Sequence, residues 1–257
     1  MSSRARSCSC SSAPRRRSEA AVKRFLRLLA GLALLPAACG CALALVDAVR
    51  AMPVPDDSIF PPGVVALLAG MAVFVALWIV FPKPVRAYVL GHELTHAVWG
   101  LMFGARVSDL RVRENGGSVK LSKSNIIITL APYFFPFYTM VVFLVAVVVR
   151  LWAGRLPCPP AWMFAVGFTW CFHFCFTVQS LMQRQPDILE YGRVFSWTLI
   201  FIINAVGVLV WITATAPLPA EDSARSLGRR VASSYRGVYD AASSCVSYVA
   251  ERAGGGR

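Results

Sequence analysis

Residues 124–149 read SNIIITLAPYFFPFYTMVVFLVAVVV, with no formal charge anywhere in the run. A helix needs roughly 20 apolar residues to cross the hydrocarbon of a bilayer, and this stretch is long enough. Working outward, residues 28–46, 58–82 and 194–220 are likewise uncharged, and 156–183 hold one histidine, His173, and no formal charge. A sixth, weaker run at 87–105 is interrupted by His92, Glu93 and His96. Single strands cannot span, because their edges would leave backbone groups unpaired in lipid. The expected fold is an all-α polytopic membrane protein of about six transmembrane helices.

Composition points the same way. Hydrophobic residues make up 57% of the 257 positions and charged residues 15%, against roughly a quarter charged in ordinary soluble domains. That argues against a soluble enzyme, a disordered chain and a disulfide-rich module. The eight cysteines are scattered through apolar runs and tails, with Cys158 alone in a convincing loop. The net charge of +13 comes from 26 basic against 13 acidic residues. The bases cluster in the tails and between the apolar runs, where they orient spans in a bilayer. The lipid bilayer is the expected partner, and nucleic acid is not.

Three regions follow. Residues 1–24, rich in Ser and Arg, form a basic disordered cytoplasmic arm, and the apolar run after it reads as a retained first span rather than a cleaved signal peptide. Residues 25–215 hold the spans. Residues 216–257 are a basic tail, in which Leu227, Val231, Tyr235, Val238, Ala242, Val246 and Val249 recur at helical spacing. That stripe, with arginines beside it, suits a helix lying on an anionic bilayer surface and dispensable for catalysis. Between the spans, Met52-Pro53-Val54-Pro55-Asp56-Asp57 makes a rigid acidic loop. Val107, Leu110, Val112, Val119 and Leu121 surround Asn115-Gly116-Gly117, which predicts a short β-hairpin. With six crossings this hairpin falls outside, although it carries Arg106, Arg111, Arg113, Lys120 and Lys123. The positive-inside tendency requires the opposite. Either the first run is removed or does not cross, or helix 86–104 is not a full crossing.

The chemistry is concentrated in Gly91-His92-Glu93-Leu94-Thr95-His96, an H-E-x-x-H sequence on a predicted helix. Residues four apart lie about 40° apart and one turn along, so His92 and His96 can share one metal ion. Glu93 is rotated to the side, where it can hold a water without being a ligand and accept its proton. A polar patch lining a helix bundle is the bland reading. Two imidazoles and a carboxylate in an apolar span are expensive without a function, which favours the metal. A catalytic zinc usually has three protein ligands. Asp47, at the end of the first span, reads as interfacial, and Asp109 and Glu114 in the basic hairpin as solvated or paired. Asp187, in Gln185-Pro186-Asp187-Ile188 between two apolar runs, is either the third ligand or a plain helix cap. His173, the one remaining histidine, is the alternative ligand, or a group bonded to a ligand or to a developing oxyanion. A joint site of His173 with Cys171 and Cys175 is geometrically poor, because a helix points the histidine about 200° away from both.

Gly91–His96 within a membrane helix, followed by Gly104 and a β-prone loop, resembles the site-2 protease family of intramembrane zinc metalloproteases. Gln185-Pro186-Asp187-Ile188 is similar to that family's Asn-Pro-Asp-Gly or Leu-Asp-Gly element, whose aspartate is the third zinc ligand. The resemblance covers about residues 85–215. It implies His92, His96 and Asp187 as ligands of Zn2+, Glu93 as the catalytic base, residues 25–215 as a metalloprotease-like domain, and a membrane-associated β-element at 106–122. The implied activity is that of a zinc metalloendopeptidase hydrolysing peptide bonds in or near transmembrane segments of membrane-protein substrates. Such a protein is a multi-pass integral protein of the cell membrane, the inner membrane in a bacterium. The alternative is a non-catalytic membrane protein, a transporter or scaffold, retaining a structural or vestigial zinc site.

Overall fold

The computed structural model describes residues 13–52, 61–113, 116–216 and 218–254. Residues 1–12 of the expected arm, most of the acidic loop (53–60), and Glu114 and Asn115 at the hairpin turn lie outside them. The first helix, α1, runs Ala13–Arg50. Its start corrects one expectation: the second half of the stretch read as a disordered arm is helical. Next come α2 (Pro62–Val80) and α3 (Val85–Met102). Strands β1 (Val107–Arg113) and β2 (Gly116–Leu121) follow, then the short α4 (Ile126–Leu130) and a 3-10 turn, Ala131–Tyr133. The chain continues through α5 (Phe137–Ala153), α6 (Pro159–Met182), the six-residue α7 (Pro186–Tyr191), α8 (Arg193–Thr215) and α9 (Ala220–Gly254).

Among the described residues, four helices are long and apolar enough to cross a membrane: Ala21–Arg50 of α1, α2, α6 and α8. A fifth is the pair formed by α4 with its 3-10 turn and α5, bent by 83°. Pro132 and Pro136 stand at this bend and deny it backbone donors. The expected sixth crossing is not found. Helix α3 carries Arg86, His92, Glu93 and His96 within eighteen residues, which leaves it too little apolar length. Many apolar side chains of the long helices face outward, Ile79 and Val80 of α2 and Leu151 and Trp152 of α5 among them.

Two glycines let α2 and α6 lie against each other in parallel. A Cβ on Gly167 would stand 2.0 Å from the Leu67 carbonyl oxygen, and one on Gly70 would stand 2.1 Å from that of Phe164. Small residues at helix contacts allow this backbone approach in apolar surroundings. Trp78 then packs edge-on against Phe176 at 4.7 Å. Because the obstructing atoms are backbone, Gly167→Val must separate the helices. The expected cost is about 1–3 kcal/mol or more, read as a lowered unfolding temperature in detergent; an unchanged temperature would refute the contact.

Helices α1 and α8 also run parallel, with Gly31 against Phe195 and Ala44 and Ala48 against Leu209. Helix α9 returns antiparallel along α1. Gly40 meets the backbone of Val231, Arg230 donates to both carboxylate oxygens of Asp47 at 2.6 Å, and the Tyr235 hydroxyl donates to the Ala33 carbonyl at 2.8 Å. The tail is thus helical as expected, but its first half docks on α1 instead of lying free on a surface. Asp47, read as interfacial, is the anchor of that contact.

These pairings gather one end of the molecule around α7. Arg27 of α1 donates to the Glu190 carbonyl and covers the Tyr191 ring at 5.0 Å. Lys83, just beyond α2, reaches Gln179 of α6 at 3.4 Å. Helix α3 starts there and ends at Gly104, whose φ of +71° suits the left-handed position after a helix. The Ala105 N–H bonds the Gly100 carbonyl and the Gly104 N–H that of Leu101, both at 2.8 Å, the pattern of a glycine-terminated helix. The chain can then fold back, and the antiparallel hairpin β1–β2 lies along α3 with Leu121 over Gly100. A bulge between Ser108 and Arg111 is fixed by Asp109, which pairs with Lys120 at 2.9 Å and Arg111 at 2.7 Å. Those two cations hold its carboxyl below the usual carboxylate range.

Candidate metal centre

Three elements meet at His92 and His96. The first is α3 itself, one turn separating the two rings, whose centroids are 4.9 Å apart. Gly91, just before the motif, has no Cβ because the Tyr138 ring would stand 2.9 Å from it. The Tyr138 hydroxyl donates to the Ala87 carbonyl at 2.6 Å and ties α3 to α5. The second element is α4 with its 3-10 turn. Asn125 caps α4, its side chain accepting the Ile128 N–H at 2.9 Å. That cap fixes the Ile128 carbonyl, which faces His96 Nδ1 at 2.9 Å. The third is α7. Pro186 opens it, as proline suits the first helical position. Ile188, 1% exposed, is locked into a core with Leu130, Tyr133 and Ile200, and Asp187 is thereby turned toward the histidines.

The separations are informative. His92 Nε2 lies 3.3 Å and His96 Nε2 3.5 Å from Asp187 Oδ2. Two ligands about 2.0–2.1 Å from a tetrahedral ion stand about 3.3–3.4 Å apart, whereas charge-assisted hydrogen bonds close to about 2.7–2.9 Å. All three ligand atoms lie within 4.8 Å of one another. The opposite ring nitrogens are occupied: His96 Nδ1 by the Ile128 carbonyl, and His92 Nδ1 by the Tyr88 hydroxyl at 3.3 Å. Protons placed on both Nδ1 atoms leave both Nε2 lone pairs free on the Asp187 side, the arrangement a metal-ligating histidine needs. Asp187 Oδ2 also accepts the Tyr133 hydroxyl at 3.2 Å. Two nitrogens and a carboxylate oxygen form a donor set that zinc accepts with a fourth position left open.

Glu93 is buried beside this group and is not part of it. Strand β2 covers it. The Glu93 carboxylate accepts the backbone N–H of Val119, and a Cβ on Gly117 would stand 2.6 Å from Glu93 Cγ. A cleft of about 650 Å³ opens here, lined by His92, Glu93, His96, Gly117, Val119 and Asp187 among others. Gly117→Ala would push against Glu93 while touching no candidate ligand. Its expected result is unchanged metal content, with any activity that depends on Glu93 reduced by up to about 10²-fold, the scale of a 1 Å misplacement. Full activity in this variant would show that the hairpin does not bear on Glu93.

His173 is not brought to the group. It sits on α6 with Nε2 buried and bonded to nothing. Asp109 is held in the hairpin and Asp47 at α9, so Asp187 alone of the described carboxylates considered from sequence joins the two histidines. Sequence reasoning missed the supporting shell of Tyr88, Tyr133, the Ile128 carbonyl and Asn204, whose side chain donates to the Tyr133 carbonyl at 3.0 Å from within α8. An asparagine inside the uncharged run 194–220 was the available signal for the last of these. The others carry none, because tyrosine and a backbone carbonyl are ordinary in any span.

No family model, curated protein or solved structure matches the chain.

Proposed function

We propose that the chain is an intramembrane zinc metalloprotease that hydrolyses peptide bonds in or beside transmembrane segments of membrane proteins. The observation that carries this reading is the convergence of His92 Nε2 and His96 Nε2 on Asp187 Oδ2 at metal-ligand spacing, with a buried carboxylate, Glu93, on the neighbouring face of the same helix. When bound, zinc would supply a Lewis acid for a carbonyl and for water. His92, His96 and Asp187 are the residues that hold it. Glu93 takes a proton from the attacking water on its carboxylate and passes it to the leaving amine. Tyr133 and the Ile128 carbonyl keep Asp187 and His96 oriented through their hydrogen bonds. The cleft between α3, α7 and β2 admits an extended segment, and β2 gives a locally unwound substrate a strand to pair with.

Lys83, Arg86, Arg184 and Arg193 stand at helix ends gathered around α7, and Arg27, within α1, reaches the same place. With α3 not counted as a crossing, the hairpin's bases join that same side, and the hairpin no longer conflicts with the positive-inside tendency. The site end of an integral, multi-pass protein would then face the cytoplasm. The experiment is metal analysis of the purified full-length chain together with cleavage of a transmembrane peptide whose centre carries Gly and Pro. One zinc per chain with metal-dependent cleavage is expected. A chain that binds one zinc but cleaves no such peptide would favour the transporter or scaffold reading.

A further inference from the structure

On the α6 side of His92 lies a small cavity of about 20 Å³, walled by Tyr88, His92, Thr95, Tyr138 and Phe172 and reached by His173. It is separate from the cleft that opens onto Glu93, although Tyr88 and His92 border both. One of its lining residues, His173, is a group that the mechanism does not use. His173 Nε2 is fully buried and has no hydrogen-bond partner. A buried polar atom in a native fold is almost always paired, and ordered water does the pairing where protein does not. One water needs about 10–15 Å³ and two to four polar partners, and the volume suffices.

The partners are on the walls. The Thr95 hydroxyl donates to the Gly91 carbonyl at 2.7 Å and the Tyr138 hydroxyl to the Ala87 carbonyl at 2.6 Å, so each oxygen keeps lone pairs for a further donor. Tyr88 is the more consequential. If His92 ligates through Nε2, its proton is on Nδ1 and is donated to the Tyr88 oxygen at 3.3 Å. Tyr88 must then donate its own proton onward, and Ser180 Oγ stands 2.6 Å away to accept it. The direction of this relay is set by the tautomer that metal binding demands of His92. The Tyr88 oxygen retains one accepting position.

We propose that this cavity is a site for one ordered water, and that His173 is a positioning residue which acts through that water on the Tyr88–His92 pair. The inference rests on the metal reading above for its effect on His92, but not for the water itself. His173 therefore belongs neither to the ligand set nor to bulk packing.

Two measurements on the full-length protein in detergent test it. In a high-resolution crystallographic map, a single water peak is expected within hydrogen-bond distance of His173 Nε2, and an empty cavity would overturn the proposal. In chelator competition, His173→Phe should weaken zinc binding by about 10–100-fold, the range for losing a partner behind a ligand. His173→Gln keeps a polar group for the water and should recover most of that loss. Wild-type affinity in His173→Phe, or equal loss in both variants, would refute the positioning role. A wild-type chain that binds no zinc would instead refute the metal reading, and the water peak would still decide the fate of the cavity site.

Discussion

Replacing Glu93 with glutamine is expected to abolish peptide cleavage while leaving one zinc per chain in place. Among the described carboxylates lining the cleft, Glu93 is the one that is buried, adjacent to the candidate ligands and absent from the ligand set. Glutamine conserves its shape and can still meet the Val119 N–H through its carbonyl oxygen, so the hairpin should stay seated on α3. What is lost is the ability to accept a proton. A positioned general base contributes about 10²–10⁴-fold to rate, and cleavage in the variant should fall by at least that factor. A reconstituted transmembrane peptide and metal analysis of the same preparation give the two readouts. Retained cleavage would remove Glu93 from the mechanism. Loss of zinc along with cleavage would mean that Glu93 acts as a ligand, and that the arrangement around Asp187 has been misread.

How much of this was legible beforehand differs between levels. The apolar runs announced the long helices directly, because burial in lipid leaves few options besides twenty uncharged residues. The run at 87–105 misled for a physical reason. His92, Glu93 and His96 both mark the site and shorten the apolar length, so the same residues that gave away the chemistry removed α3 from the set of crossings. The hairpin was readable from Gly116-Gly117 and the alternation around it, but its placement was not. Nothing in the sequence tells that Gly117 lies over Glu93, since that contact depends on the Gly104 turn folding the chain back on α3. The tail's helical stripe was also readable, whereas its docking on α1 depends on Asp47 meeting Arg230, 183 positions away. Asp187 and His173 could not be ranked from spacing alone. Asp187 comes to stand with the two histidines because Ile188, packed in the core with Tyr133 and Leu130, turns it inward.

Asp187→Ala should lose zinc, and His173→Ala should not. Both residues are membrane-domain polar groups near His92, so a merely electrostatic contribution would predict similar losses. The geometry separates them. Asp187 Oδ2 lies 3.3 and 3.5 Å from the two imidazole nitrogens that point at it, while His173 Nε2 meets no protein partner at all. Removing Asp187 leaves two nitrogen ligands, and zinc sites of that kind hold the ion poorly against the three or four donors of a protein centre. The loss should exceed the roughly 10–100-fold expected on removing an outer partner such as His173. His92→Ala and His96→Ala should behave as Asp187→Ala does. In metal analysis after dialysis against a weak chelator, His173→Ala is expected to retain one zinc per chain and the other three variants none. Zinc retained without Asp187 but lost without His173 would invert the assignment, and would require α6 to turn toward α3 by more than its present packing on α2 allows. The α2–α6 contact through Gly70 and Gly167 leaves no room for that rotation, which is why the order of loss is a test of the fold as well as of the ligand.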